Sequence, residues 1–275
     1  MEVITSRQNP QIKAAIALCD KKGRRSSGLF RFDGVKLFSD ALGKADIVSV
    51  FLKTPVNDRV TEAVRRAVDG GYVHEKSVIY VSEGVFEKLT EENAPEGIVT
   101  VARFMNELHG HIEDTDAAAK ALNGKCLLIA ESLRDPGNLG TVIRSCAALG
   151  IDSLIMTDDC ADIYNPKTVR GAMGALFRLP TLTVPKGEMP AFVKSLIGEG
   201  RRVYAAALRD DAMRIGDIEL RGKDCFVIGN EGHGLSDELI DACTATAIIP
   251  MTEGSESLNA AAAATICIWE TVKNK

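Results

Sequence analysis

The feature that most constrains this chain is the alternation, from residue 126 onward, of short uninterrupted apolar runs with stretches of helical length. Cys126-Leu127-Leu128-Ile129-Ala130 contains no polar residue, and Ser153–Met156, Thr181–Val184, Val203–Ala207, Phe226–Ile228 and Ala247–Ile249 are further runs of strand length. A strand that is apolar on both faces is buried on both faces, as in parallel sheets covered by helices. Helices are predicted between the runs, at Leu139–Leu149, Pro166–Gly174, Met189–Ile197, Ser236–Ala242 and Leu258–Val272, the first closed by Gly150. The fold class expected here is α/β with a parallel sheet.

The first hundred residues mix the two periods. Asn9-Pro10 ahead of Gln11–Leu18 reads as the N-cap and first turn of a helix. Leu29–Asp33, Ile47–Lys53, Val78–Val81 and Gly97–Arg103 have strand character, and Val35–Leu42 and Thr61–Val68 helical character. A small α/β domain over residues 1–105 is expected. Residues 106–123 carry few large apolar side chains and no strand pattern, so they read as a linker with a short helical turn at Thr115–Leu122. A second domain then spans 124–275.

Charge separates the halves. The chain as a whole is at −5, with residues 1–105 at +2 and residues 106–275 at −7. Within residues 1–44 there are 9 basic against 4 acidic side chains, and Lys21, Lys22, Arg24 and Arg25 form a basic loop suited to a polyanion. No run approaches the ~18–20 apolar residues needed to cross a bilayer, and no apolar stretch follows a basic start at the N-terminus. No membrane association is expected. The seven cysteines stand singly, as buried free thiols of a reducing, cytoplasmic setting would. His109 and His111 read as solvated loop histidines, and no metal site is expected.

Three polar, glycine-rich loops follow predicted strands: Arg134–Arg144, Ile228–Ser236 and Ile249–Asn259. In open parallel sheets ligands bind at the carboxyl ends of strands, where such loops gather. Each taken alone is also an ordinary turn or helix start, Asp135-Pro136-Gly137-Asn138 above all. A dinucleotide-binding Rossmann site is a poor match, because no G-x-G-x-x-G follows the first strand of the second domain.

In order and spacing the loops resemble motifs 1, 2 and 3 of the SpoU (TrmH-like) branch of the SPOUT methyltransferases. Motif 1 is Asn138-Leu139-Gly140-Thr141-Val142-Ile143-Arg144, motif 2 runs from Gly229 to Leu235, and motif 3 is Ile249-Pro250-Met251 with Ser257-Leu258-Asn259. Asn165–Phe177 is also similar to the family, with Ala172 where many members have Ser. The N-terminal region, through Ile4-Thr5-Ser6, Asn9-Pro10, Leu29-Phe30, Gly34 and Gly97-Ile98, resembles the substrate domain of these enzymes, itself similar to kink-turn-binding ribosomal proteins. Asp33 stands where that domain usually has Glu.

The resemblance implies a deep trefoil knot in the C-terminal domain, a homodimer, and transfer of a methyl group from S-adenosylmethionine to a ribose 2′-hydroxyl of RNA. Ribosomal RNA is preferred over transfer RNA as the substrate; a non-catalytic RNA-binding protein is the remaining alternative. It implies cofactor contacts at Gly229, Glu231, Gly234, Ile249, Met251 and Leu258. It makes Arg144 the main catalytic residue. An arginine is always protonated and so a poor base, which favours Arg144 as a clamp on the target phosphate. Asn138 and Asn259 would orient loop and substrate, Glu231 would position Arg144 or take a proton, and Ser257 would touch the nucleotide. Lys21, Lys22, Arg24, Arg25 and Arg31 would hold RNA.

Overall fold

The computed structural model describes residues 2–230, 232–252 and 257–273. Its strands are β1 (Val3–Ile4), β2 (Leu29–Asp33), β3 (Ile47–Thr54), β4 (Val78–Ser82), β5 (Ile98–Arg103), β6 (His109–His111), β7 (Leu127–Ala130), β8 (Ser153–Thr157), β9 (Thr181–Val184), β10 (Val203–Ala206), β11 (Met213–Arg214), β12 (Cys225–Ile228) and β13 (Ala245–Ile248). The helices are α1 (Pro10–Ala17), α2 (Lys21–Ser27), α3 (Val35–Ala41), α4 (Asp58–Asp69), α5 (Glu83–Leu89), α6 (Thr115–Ala121), α7 (Pro136–Leu149), α8 (Pro166–Ala172), α9 (Met189–Gly198), α10 (Asp237–Ala242) and α11 (Ala260–Val272).

Local chemistry sets many of these boundaries. Asn9, Asn57, Asp114, Asp135, Asn165 and Asn259 each accept a backbone N–H of the helix they precede, and Pro10, Pro136 and Pro166 occupy first-turn positions where no N–H is needed. Gly150 ends α7 in the left-handed region (φ 84°) and returns its N–H to Cys146 O.

The chain divides into two units. One comprises residues up to Met105 together with Asp162–Phe177. Its sheet has the order β1-β4-β3-β5-β2, with β5 antiparallel to both β3 and β2 and the remaining pairs parallel. The 162–177 segment is woven into this unit by its aromatic side chains. Tyr164 stacks on Phe104 with ring centroids 4.3 Å apart, and Phe177 meets Phe32 edge-on at 5.3 Å.

The predicted basic loop is helix α2, and it follows α1 so tightly that a Cβ on Gly23 would lie 2.0 Å from Ala17 O. Two of the expected RNA-binding cations are therefore placed differently. Arg24 is buried: its guanidinium donates to Leu18 O and Cys19 O at the end of α1 and makes a two-pronged contact with Asp162 Oδ2 at 2.9 and 2.7 Å. It closes orphan carbonyls at a helix end and pairs a charge out of water. Arg31 points into the core from β2, with Glu91 Oε1 its acidic neighbour at 3.8 Å. Neither side chain is available to RNA, whereas Lys21, Lys22 and Arg25 are exposed.

The second unit holds residues 106–161 and 178–275. Its eight strands are all parallel, in the order β11-β13-β10-β12-β7-β8-β9-β6. Its core of Leu127, Ile129, Ile155, Val193, Val203 and Val227 lies between sheet and helices. Residues 106–123, expected as a linker, supply edge strand β6 and helix α6 to this unit. His109 is correspondingly buried, not solvated, and pairs with Thr181 of β9. The chain runs β7, β8, β9 toward one edge, then crosses to place β12 on the other side of β7. In open parallel sheets ligands gather beside such a reversal, which here lies next to β12.

Candidate active site

Helix α7 carries motif 1. Leu139, Val142, Ile143 and Cys146 fall at helical spacing and are buried, which turns Thr141 and Arg144 outward. Arg144 is exposed, and no hydrogen bond or ion pair joins it to the described residues. Helix α11 packs on α7, with Ser145 Oγ and Thr265 Oγ1 hydrogen-bonded at 3.0 Å. Asn259 caps α11 through Oδ1 and donates from Nδ2 to Asn138 Oδ1 at 3.0 Å. The sequence placed α11 from Leu258; it begins at Ala260, which frees Asn259 for this double role.

A cavity of about 420 Å³ opens at the ends of β10, β12 and β13. Gly229, Gly234, Ile249, Met251 and Leu258 line it, and so does Ser257, which had been assigned to the nucleotide. Its size falls in the range of small-molecule sites, and its wall is largely apolar with backbone amides and a few polar groups, as nucleoside recognition needs. Arg209 and Asp237, paired at 2.6 Å, also lie on its wall; neither was singled out in the sequence. Glu231, expected at both the catalytic and cofactor sites, lies outside the described residues.

Further polar residues surround the end of β7. Ser132 Oγ donates to Asp159 Oδ2 at 2.6 Å, and Lys186 Nζ donates to Ser132 Oγ at 2.8 Å. Burial works against the Asp159 carboxylate, but hydrogen bonds from Ser132 and Thr157 and the charge of Lys186 hold its carboxyl below the usual range. Glu131 and Asn230 sit beside this cluster. The signal that could have found Glu131 and Ser132 is a carboxylate and a hydroxyl directly after an all-apolar strand. The cysteines are free thiols, and burial pushes those of Cys225 and Cys267 up to about 12, which argues against thiolate chemistry at either. Among the described residues, no group of three or more His, Cys, Asp and Glu side chains is placed to hold a metal ion.

A parallel sheet with a cavity of small-molecule size at the carboxyl ends of its strands, walled in part by Ser257 and Leu258 just ahead of the Asn259–Asn138 bond, defines an α/β protein with a small-molecule site. Residues 125–269 match the SpoU rRNA Methylase family, and residues 9–100 match the MRM3-like substrate binding domain. The chain belongs to the SpoU rRNA methylase family and is a methyltransferase. It is 30% identical over 271 residues to the Bacillus subtilis 23S rRNA (guanosine(2553)-2′-O)-methyltransferase RlmP, covering 98% of each chain. The AdoMet-bound rRNA methyltransferase from Sinorhizobium meliloti superimposes with a TM-score of 0.80 at 26% identity, covering 99% of this chain and 98% of that one. AviRb from Streptomyces viridochromogenes, a SpoU methyltransferase in complex with AdoMet, gives 0.78 at 26% identity over 97% and 98%.

Proposed function

We propose that this protein transfers a methyl group from S-adenosylmethionine to a ribose 2′-hydroxyl of ribosomal RNA. The observation that carries the reading is that Gly229, Gly234, Ile249, Met251 and Leu258, drawn from motifs 2 and 3, line one cavity. The cavity fits the cofactor. It is apolar enough for an adenine, and Gly229 lies so close to Gly234 that a Cβ would sit 2.5 Å from its carbonyl carbon, which leaves backbone amides as the polar wall. The cofactor supplies an activated methyl group on a sulfonium centre, so the protein's task is placement and help with one proton.

Arg144, exposed on α7, clamps the phosphate of the target nucleotide and brings its 2′-hydroxyl into line. Asn138 and Asn259 hold the two motif loops in register through their shared bond. Glu231 assists Arg144 or accepts the proton, and Ser257 borders the nucleotide from the cavity wall. Lys21, Lys22 and Arg25 on α2 contact RNA phosphates. A homodimer is part of the same reading, supported by Trp269 of α11, which is 54% exposed. So is a trefoil knot threaded by α11, and the cytoplasm is the setting.

The test is to map 2′-O-methyl sites in ribosomal and transfer RNA from cells with and without the gene, and to repeat the transfer in vitro. Loss of one ribosomal site, restored by the pure protein, is expected. Loss confined to transfer RNA would replace the substrate, and no lost site with no transfer would sink the reading.

A further inference from the structure

The loop after β12 forms one wall of the cavity, and two residues at the end of β7 hold it from outside. The loop folds back on itself. Asn230 N–H donates to Gly234 O at 3.1 Å and Gly234 N–H to Asn230 O at 2.9 Å. These two bonds join Asn230 to Gly234, and the placement of both depends on what grips the flanking residues. At the far end, Ser236 N–H donates to Glu131 Oε2 at 2.7 Å and Ser236 Oγ donates to Glu131 Oε1 at 2.6 Å. At the near end, Asn230 Nδ2 donates to the Ser132 carbonyl at 2.9 Å, while Asn230 Oδ1 accepts the Gly232 N–H at 2.8 Å. Consecutive residues provide both grips.

Ser132 is itself held in a costly conformation. Its φ is 54°, in the left-handed region that non-glycine residues avoid unless their surroundings impose it. Three contacts impose it here: Ser132 N–H to Thr157 Oγ1 at 2.8 Å, Ser132 Oγ to Asp159, and Lys186 Nζ to Ser132 Oγ. These partners stand at or beyond the ends of β8 and β9, so three strand ends converge on one residue. Glu131 and Ser132 are both buried and neither lines the cavity. They therefore act through the loop rather than on substrate.

We propose that Glu131 and Ser132 are positioning residues for cofactor binding: together they hold residues 229–230 and 232–236, and with them the cavity wall against which the cofactor lies. This rests on the reading of the cavity as the cofactor site.

The full-length protein and three variants test it, with S-adenosylmethionine affinity read by calorimetry alongside steady-state kinetics and thermal unfolding. Ser132→Gly keeps the left-handed backbone without strain and removes the Oγ anchors. Ser236→Ala removes one of the two bonds to Glu131. Glu131→Gln conserves an acceptor for the Ser236 N–H and offers a donor to its hydroxyl. Ser132→Gly and Ser236→Ala are expected to raise Kd and KM for S-adenosylmethionine about tenfold, the worth of a lost hydrogen bond of ordinary strength. In both, kcat at saturating cofactor and the unfolding temperature stay near wild type, and Glu131→Gln stays near wild type throughout. Unchanged Kd and KM in both variants, in a wild type that binds the cofactor, would overturn the clamp. A fall in unfolding temperature and kcat without a change in KM would also overturn it, because the residues would then serve stability alone. A wild type that fails to bind S-adenosylmethionine overturns the cofactor reading and the clamp with it.

Discussion

Asn259 Nδ2 donates to Asn138 Oδ1 at 3.0 Å, a bond between residues 121 positions apart in the chain. It ties the first turn of α7 to the N-cap of α11, and so joins two of the three sequence motifs. The same Asn259 side chain accepts from Ala261 and Ala262 through Oδ1, so its orientation is fixed at both ends.

Serine caps helices about as well as asparagine but is too short to reach Asn138. Asn259→Ser is therefore expected to leave stability within about 1 kcal/mol of wild type while methyl transfer falls about tenfold or more. Asn259→Ala should lose about 0.5–2 kcal/mol as well, because the cap goes with the bond. Chemical denaturation and initial rates separate the two losses.

Arg144 lies outside the cavity wall and on the exposed face of α7. Arg144→Ala is expected to lower kcat by about a thousandfold or more, the scale of a lost charged clamp in a transition state, with cofactor affinity retained. Arg144→Lys should recover little, since a point charge cannot reproduce a two-pronged phosphate contact. Lost cofactor binding in either variant would move Arg144 to a structural role.

The basic helix α2 divides by burial. Arg24→Ala strands Asp162, whose side chain is only 15% exposed, and is expected to cost about 3 kcal/mol of stability. Joint replacement of Lys21, Lys22 and Arg25 by alanine should leave thermal stability unchanged and flatten the dependence of RNA affinity on salt. An unchanged salt slope would assign these three to bulk solvent.

Burial raises the Asp33 carboxyl from 3.8 to about 6, against the opposing charge of Arg31 and with the help of Glu92. A carboxyl raised in the folded state favours folding when it is protonated. Its contribution is complete below pH 4, declines as pH rises to about 6 and is gone above. Asp33→Asn mimics the protonated form and retains an acceptor for Thr90 Oγ1, which donates to Asp33 Oδ2 at 3.2 Å. The variant should match wild type near pH 4 and exceed it by about 1–3 kcal/mol above pH 7. Unfolding curves across that range check the trend, and a difference that does not grow with pH contradicts it.

Residues 106–275 expressed alone would carry the 162–177 segment without its partners. Tyr164 would lose Phe30 and Phe104, and Phe177 would lose Phe32. Exposing these rings is expected to make the fragment aggregate or melt well below the full chain. A fragment that unfolds cooperatively at the full-length temperature would show that the segment finds other cover.

The parallel sheet was legible because it is written locally. Leu127–Ala130 and Cys225–Ile228 are apolar on both faces, and only a covered central strand asks for that. The short edge strands were not. His109–His111 has no apolar alternation, since one side of an edge strand needs no partner, and its pairing with β9 depends on residues some seventy positions away. The site followed the same division. Motifs 2 and 3 named under half of the cavity wall, the rest coming from the ends of β10, β12 and β13 and from α10 and α11, while Glu131 and Ser132 gain their importance only from the loop they grip.

What the sequence alone determined is the part governed by near neighbours: helix starts at Asn9 and ahead of Pro166, the stop at Gly150, the buried strands, and the loops that follow them, while the motif-1 helix begins a turn earlier than Leu139, at Pro136. Tertiary structure decided which charges meet solvent. Lys22 and Arg24 stand two residues apart in one basic run, yet Lys22 is exposed and Arg24 is sealed against Asp162, 138 residues further along. Capping and turn preferences act over a few bonds and leave a mark in the local sequence. The fate of a charge depends on the partner that folding brings to it through space, and nothing beside Arg24 in the chain records that partner.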